Sequence, residues 1–217
     1  MSVKLYDAPS NIDAKIAYLA RVSSENQDNP NYTKLISYLI KEGHWSPFDM
    51  VNITLEIVTE KDVAIQILRH TGLKVQEWSQ RYADCSDMKA PLRECRLQDS
   101  KNRQNSLQNH DVTLQCMWDE LQREVQDLAF TNYSRALELG IAKELARSLL
   151  PIGLTKTKLY LNGSIRSWLF YCKARMHHSS QKEHRIIADT VWQILERVAP
   201  CTTEAFMQVY EVPRNLQ

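Results

Sequence analysis

No run of about 18 apolar residues occurs in this sequence, so a membrane-spanning helix is not expected. The densest apolar stretch, Ser148–Leu154, is short and broken by Pro151. The first residues, Met1–Asp7, lack the long apolar region of a secretory signal. Neither sign of charge is in excess: 27 Lys plus Arg face 26 Asp plus Glu. No global field therefore draws the chain toward nucleic acid or a membrane surface, and any phosphorylated ligand has to be held by a few placed arginines. The five cysteines are odd in number and contain no C-x-x-C pair, which points to reduced thiols in a cytoplasmic protein and away from a structural zinc. The H-x-E with P-C-x-x-C signature of zinc deaminases, which also handle pyrimidine nucleotides, is missing as well. No repeat, low-complexity tract or linker interrupts the chain.

What is present is ordinary globular composition, 43% apolar and 24% charged over 217 residues, enough for one α+β domain spanning 1–217. Val3–Tyr6 reads as a short strand before the turn-like Pro9-Ser10-Asn11, and 12–21 has helical spacing. Asn31 is placed to cap a helix that Gly43 ends. Val51, Ile53, Leu55 and Ile57 alternate with Asn52, Thr54 and Glu56, the period of a half-buried strand. A helix is expected over 61–70. Residues 73–110 are irregular and polar, either a functional loop system or a disordered one. Asp111 can cap a long helix over 112–139 with the stripe Leu114, Trp118, Leu121, Val125 and Leu128, closed by Gly140. A short helix over 142–150, a strand over 154–161 and a helix capped by Ser164 and reaching Arg175 follow. Ser180-Gln181-Lys182-Glu183 has the form of a capping box opening a helix to about Val198. Met117, Trp118 and Tyr133 fall at core or subunit-interface spacing on the long helix.

The sharpest local feature is Arg69-His70-Thr71, seven residues, then Ser79-Gln80-Arg81-Tyr82. By itself it is also compatible with a helix C-terminus, where Arg69 and His70 complement the macrodipole, running into a solvated loop. Other elements follow in order. They are Gly43-His44-Trp45-Ser46-Pro47-Phe48-Asp49, Gln66 three residues before Arg69, Lys143-Glu144-Leu145-Ala146-Arg147 with Leu150-Pro151, Arg166 and Arg175 nine residues apart, and Gln181 with Glu183.

Together these resemble the flavin-dependent thymidylate synthases over residues 10 to 200. The family signature runs Arg-His-Arg, seven residues, Ser, then Arg-Tyr. Three positions depart from the pattern: Thr71 stands where the family has arginine, Phe170 where it usually has Asn or His, and Ser179 where some members have His. The resemblance implies a mostly antiparallel sheet packed by helices. It also implies methylation of dUMP to dTMP with methylenetetrahydrofolate as one-carbon donor, NADPH as reductant and FAD as cofactor. A homotetramer with active sites shared between subunits is expected on the same ground.

Carried over position by position, the resemblance places Gln66, Arg69, Glu77, Ser79, Gln80, Arg81, Arg147 and Arg175 at dUMP. It places His44, Ser46, Arg69, His70, Thr71, Glu77, Ser164, Arg166 and Phe170 at FAD. Guanidinium groups bind phosphate oxygens bidentately, which suits Arg81 and Arg147 to the nucleotide phosphate. The competing reading of Arg147 is a surface pair with Glu144. Arg175 is the catalytic residue the resemblance implies, a cation beside a developing ring anion; helix C-terminal arginines serving the dipole are the alternative. Ser79 has no base placed for it and reads as a hydrogen-bond donor to phosphate. Phe170 shares a helix face with Arg166, and that face is also compatible with core packing. His177, His178 and His184 read as exposed polar residues around a helix start, with no metal assigned. Hydroxymethylation of dUMP or dCMP on the same scaffold, and a non-catalytic nucleotide-binding protein, stay open.

Overall fold

A computed structural model describes residues 1–213. In chain order the first half comprises β1 (Ser2–Asp7), α1 (Ile12–Ala20), α2 (Thr33–Lys41), α3 (Ser46–Asp49), β2 (Asn52–Glu60), α4 (Lys61–Ile67) and β3 (Leu73–Glu77). The remainder comprises β4 (Arg96–Gln98), β5 (Ser106–Gln108), α5 (Val112–Glu138), α6 (Lys143–Ala146), a 3₁₀ turn (Arg147–Leu149) and β6 (Lys156–Ser164). The last helices are α7 (Ile165–Arg175), α8 (Lys182–Val198) and α9 (Pro200–Val209). This is the expected α+β architecture, helices on a mostly antiparallel sheet. No helix among the described residues is long and apolar enough to cross a membrane.

Two compact units are distinguished. One holds residues 58–67 and 77–159 with Met1; the other holds residues 2–57, 68–76 and the chain from Tyr160 onward. The second unit is organised by the sheet, whose strand order is β1-β2-β6-β3. The alternation read in β2 is realised: Ile53, Leu55 and Ile57 are fully buried, while Asn52, Thr54 and Glu56 point to the other face. There Thr54 accepts from Asn162 of β6 at 2.9 Å and Glu56 accepts from Tyr160 at 2.7 Å, cross-strand pairs that hold register. Phe48, Trp168, Ile187, Trp192, Leu195 and Phe206 fill the helical side of this unit. Helix α9, not anticipated from the sequence, begins on Pro200. It is capped from a distance, because buried Asp13 of α1 accepts from Cys201 N at 2.8 Å, Thr202 N at 3.1 Å and Thr202 Oγ1 at 2.6 Å.

The helix ends show which local signals act. Asp111 caps α5 by accepting from Thr113 and Leu114 N, and Ser164 caps α7 by accepting from Ser167 N. Gly43 and Gly140 sit just past helix ends with φ of 71° and 79°, in the left-handed region that favours glycine. Two expected caps do not form. Helix α2 starts at Thr33 behind Tyr32, which puts Asn31 one position too early to cap it, and no side-chain cap forms. The capping box at Ser180 is also absent: Ser180 Oγ donates back to Ala174 O, and Gln181 Nε2 bonds Glu183.

The first unit shows which side of the long helix is covered within it. Its apolar stripe is on the outside: Leu121, Val125 and Leu128 are exposed, and Trp118 is 38% exposed. The buried face carries Gln122, Gln126, Phe130 and Tyr133. Its glutamines serve the backbone of 90–95, which has no strand partner of its own. Gln122 accepts from Arg93 N and donates to Arg93 O, Gln115 accepts from Cys95 N, and Gln126 donates to Ala90 O and Leu154 O. Buried main-chain groups must be paired, and these amides pair them. Phe130 and Tyr133 pack with Cys85, Ala146 and Leu150. The irregular stretch is ordered in part as β3 and as an antiparallel β4–β5 hairpin pairing Arg96 with Gln108 and Gln98 with Ser106. Asp99 holds its loop by accepting from Lys101 N, Asn102 N and Asn105 Nδ2.

Gln122→Ala removes the acceptor of Arg93 N and one of two donors to Arg93 O, which keeps Trp118 Nε1, and is expected to cost about 1–3 kcal/mol in urea unfolding. Glu124→Ala on the exposed side is expected to stay within about 0.5 kcal/mol.

Candidate active site

Helix α4 stops at Ile67, so Arg69 and His70 lie in the loop before β3 rather than at a helix C-terminus. The turn closes with Leu73 N donating to His70 O at 3.0 Å. Its placement has a cause across the unit: Arg175 Nε donates to His70 Nε2 at 2.6 Å. Arginine has no acceptor to offer, so this contact fixes His70 as the neutral tautomer with its proton on Nδ1. Among the described residues no carboxylate is bonded to Arg175, and a neutral imidazole leaves the guanidinium charge uncompensated.

His70 lines a cavity of about 440 Å³, entirely within the second unit, and Arg175 stands behind it outside the lining. Its lining includes Arg69, His70, Thr71, Arg166 and Phe170, five residues singled out in the sequence, together with Asp49 and Tyr171. Asp49 organises one wall. Its Oδ2 pairs with Arg166 at 2.9 Å and its Oδ1 accepts from Ser164 Oγ at 3.0 Å, so one carboxylate holds both the cation and the helix cap. The Arg166 guanidinium also stands over the Trp45 ring at 5.8 Å. Phe170 packs edge-on with Trp45 at 5.0 Å, Phe206 at 5.5 Å and Tyr210 at 5.5 Å. It is a packing residue with one side on the cavity. His44 and Ser46 are exposed near the start of α3 and do not line the cavity; His44 meets Tyr38 edge-on. Two roomier clefts in this unit, about 830 and 890 Å³, contain only Phe170 of the sequence-derived site residues, so volume does not locate the chemistry.

The first unit holds the other set. Ser79 and Arg81 line a recess of about 410 Å³ with Tyr82, Ala142, Lys143 and Glu144. Arg81 pairs with the Glu144 carboxylate at 3.1 Å, both largely exposed, an interaction too solvated to hold Arg81 against a dianion. Arg147 does not take that carboxylate; its Nε donates to Glu144 O at 3.3 Å. Gln80 is buried. Glu77 is engaged by Lys61 at 2.8 Å and by Thr157 Oγ1 at 3.0 Å. Gln66 lies on α4.

A family model, thymidylate synthase complementing protein, matches residues 4–201. The chain belongs to the flavin-dependent thymidylate synthase family. A flavin-dependent thymidylate synthase from Synechocystis is 46% identical over 91% of this chain and 90% of its own length. A probable flavin-dependent thymidylate synthase of Paramecium bursaria Chlorella virus 1 is 40% identical, covering 88% of each. The crystal structure of a UMP/dUMP methylase, PolB from Streptomyces cacaoi, bound with 5-Br dUMP, is similar with a TM-score of 0.84 and 25% identity, covering 98% of this chain and 96% of that one.

Within this synthase family fold, residues that local sequence reading passed over stand out. His184 was read as exposed at a helix start; His177 and His178 are exposed, but His184 is fully buried. Its Nε2 lies 3.2 Å from the hydroxyl of buried Tyr171. Asp49 had a signal, its place in the Gly43–Asp49 element; Tyr171 had none. Burial, then the Arg175 charge, pushes His70 down to about 4 and His184 down to about 3. An unfolded histidine titrates near 6.5, so as pH falls below about 6.5 the unfolded chain takes up protons first. The contribution of both histidines is therefore complete above about pH 6.5 and is lost as pH falls toward 4 and 3. In chemical denaturation between about pH 5.5 and 4.5, His184→Gln is expected to lower the slope of stability on pH by about 1.4 kcal/mol per unit, the value for one proton.

Proposed function

We propose that this protein catalyses the reductive methylation of dUMP to dTMP, with methylenetetrahydrofolate as one-carbon donor, NADPH as reductant and FAD as cofactor, in the cytoplasm. The observation that carries the reading is the Arg175–His70 pair at the edge of the Arg69–Arg166 cavity, a full positive charge oriented by a neutral partner. In this reading Arg175 faces the uracil ring and favours loss of its N3 proton. A preorganised cation beside a developing anion is worth about 3 kcal/mol in a site shielded from water. Arg81, Arg147, Ser79 and Gln80 hold the nucleotide phosphate, with Gln66, Arg69 and Glu77 completing the dUMP contacts.

The residues around the cavity suit a flavin dinucleotide. Arg69 and Arg166 offer guanidinium groups to phosphate oxygens, Thr71 offers a hydroxyl, and Phe170 offers an apolar wall, while Ser164 acts through Asp49, to which its hydroxyl is donated. His44, Ser46, His70 and Glu77 complete the set we assign to FAD. FAD held there would supply the hydride and one-carbon transfer chemistry. The protein's own part is orientation and charge placement. With Thr71 in the third signature position, Arg69 and Arg166 are the cations left for those phosphates, and the pairing with Asp49 keeps Arg166 in place for them.

We further propose a homotetramer with active sites shared between subunits, in which the exposed face of α5 is covered. An apolar row of four turns, Met117, Leu121, Val125 and Leu128, all more than half exposed, is what an oligomer interface supplies and a monomer surface avoids.

Purified protein loaded with FAD is expected to convert dUMP to dTMP in an assay run in parallel with dCMP. A product heavier than dTMP by one oxygen would instead establish hydroxymethylation, and protein that takes up no FAD would establish a non-catalytic binder. Arg175→Ala is expected to keep the fold and FAD uptake while turnover falls by about 10²- to 10³-fold. The double variant Leu121→Glu, Leu128→Glu is expected to sediment as smaller species than the parent protein at equal concentration.

A further inference from the structure

Three elements of the second unit meet behind Arg175: the loop of residues 68–72, helix α7 and helix α8. From α8, the fully buried His184 places Nε2 3.2 Å from the Tyr171 hydroxyl. Tyr171 is 1% exposed and stands edge-on to His70, ring centres 4.9 Å apart at 78°. His70 in turn accepts from Arg175 Nε at 2.6 Å. His184 and His70 are themselves perpendicular at 6.3 Å. Arg175 lies four residues after Tyr171 on α7, so the series leaves that helix through the Tyr171 ring and returns to it one turn later.

We propose that Tyr171 and His184 are positioning residues for the Arg175 guanidinium, acting through His70. This rests on the reading of Arg175 as the group that faces the uracil ring. The hydroxyl bond to His184 fixes the Tyr171 ring, the ring fixes the tilt of the His70 imidazole, and the imidazole fixes Nε of Arg175. Spending Nε on His70 leaves the four terminal N–H donors of Arg175 for a ligand, in one orientation. A neutral series is required, because a carboxylate in place of His70 would hold Arg175 as firmly and cancel its field. Misplacement of a catalytic group by about 1 Å costs on the order of 10²-fold in rate, which is the scale on which these residues act.

The test compares Tyr171→Phe, His184→Leu, His184→Gln and Arg175→Ala in the full-length protein. The readouts are the Arg175 Nε–H signal by NMR without ligands, thermal midpoint, FAD uptake by absorption, and kcat and KM for dUMP. Tyr171→Phe removes one hydroxyl and keeps the ring. It is expected to broaden or abolish the slowly exchanging Nε–H signal and to lower kcat, measured at saturating FAD, by about 10- to 100-fold. His184→Leu is expected to match it. His184→Gln, whose amide reaches near the place of Nε2, is expected to recover most of both. An unchanged Nε–H signal and kcat in Tyr171→Phe overturn the proposal, as does a kcat restored to the parent value by saturating FAD. Turnover retained by Arg175→Ala would instead remove Arg175 from the uracil, while the NMR signal still decides whether Tyr171 and His184 position it.

Discussion

A guanidinium bonded to a neutral imidazole is the contact on which this site turns. Most half-buried arginines satisfy themselves with a carboxylate, which offsets their desolvation and quenches their field. Arg175 takes His70 instead. That arrangement has a cost, visible in the two histidines held far below their ordinary titration range by burial and by Arg175. Strain of this kind is kept at functional sites and offset by packing elsewhere. Here the offset comes from fully buried neighbours such as Trp168, Tyr171 and Trp192.

The chain as a whole is nearly charge-neutral, so recognition of anions is a matter of placement. Each candidate cation is handled differently. Arg166 is locked to Asp49, Arg81 is loosely paired with Glu144, and Arg147 leans on a main-chain carbonyl. A locked cation is preorganised for a ligand that never changes. A loosely paired one can exchange its partner for an arriving substrate at little cost. Under the proposed assignment, this graded tethering suits a resident cofactor at Arg166 and a transient nucleotide at Arg81 and Arg147.

Much of this was legible before any coordinates. The alternation in β2, the caps at Asp111 and Ser164, and the glycines after α2 and α5 are short-range signals, and they acted where they stood. The spacing from Arg69 to Tyr82 pointed to the right family. What stayed open was which partner covers the apolar face of α5. The apolar period there was correct, but periodicity locates a stripe without saying whether a domain or another subunit buries it. The glutamines that do face inward look like solvent residues until the strandless backbone they serve is seen. Contacts between residues far apart in sequence were invisible for the same reason: Asp49 and Arg166 are 117 residues apart, and nothing local in His184 announces Tyr171. The β4–β5 hairpin escaped because both strands are short and their side chains mostly exposed, leaving no alternation to read.

Helix α7 carries Arg166 near its first turn and Arg175 at its last residue, with Ser164 as its cap. At about 1.5 Å of rise per residue it is a rigid spacer holding two cations roughly 13 Å apart along its axis. Because each residue also turns the helix by about 100°, inserting or deleting a single position between them would swing one guanidinium away from Asp49 or the other away from His70. The helix can drift in composition, as Phe170 shows, but its length is pinned at both ends, by Asp49 at Arg166 and by His70 at Arg175.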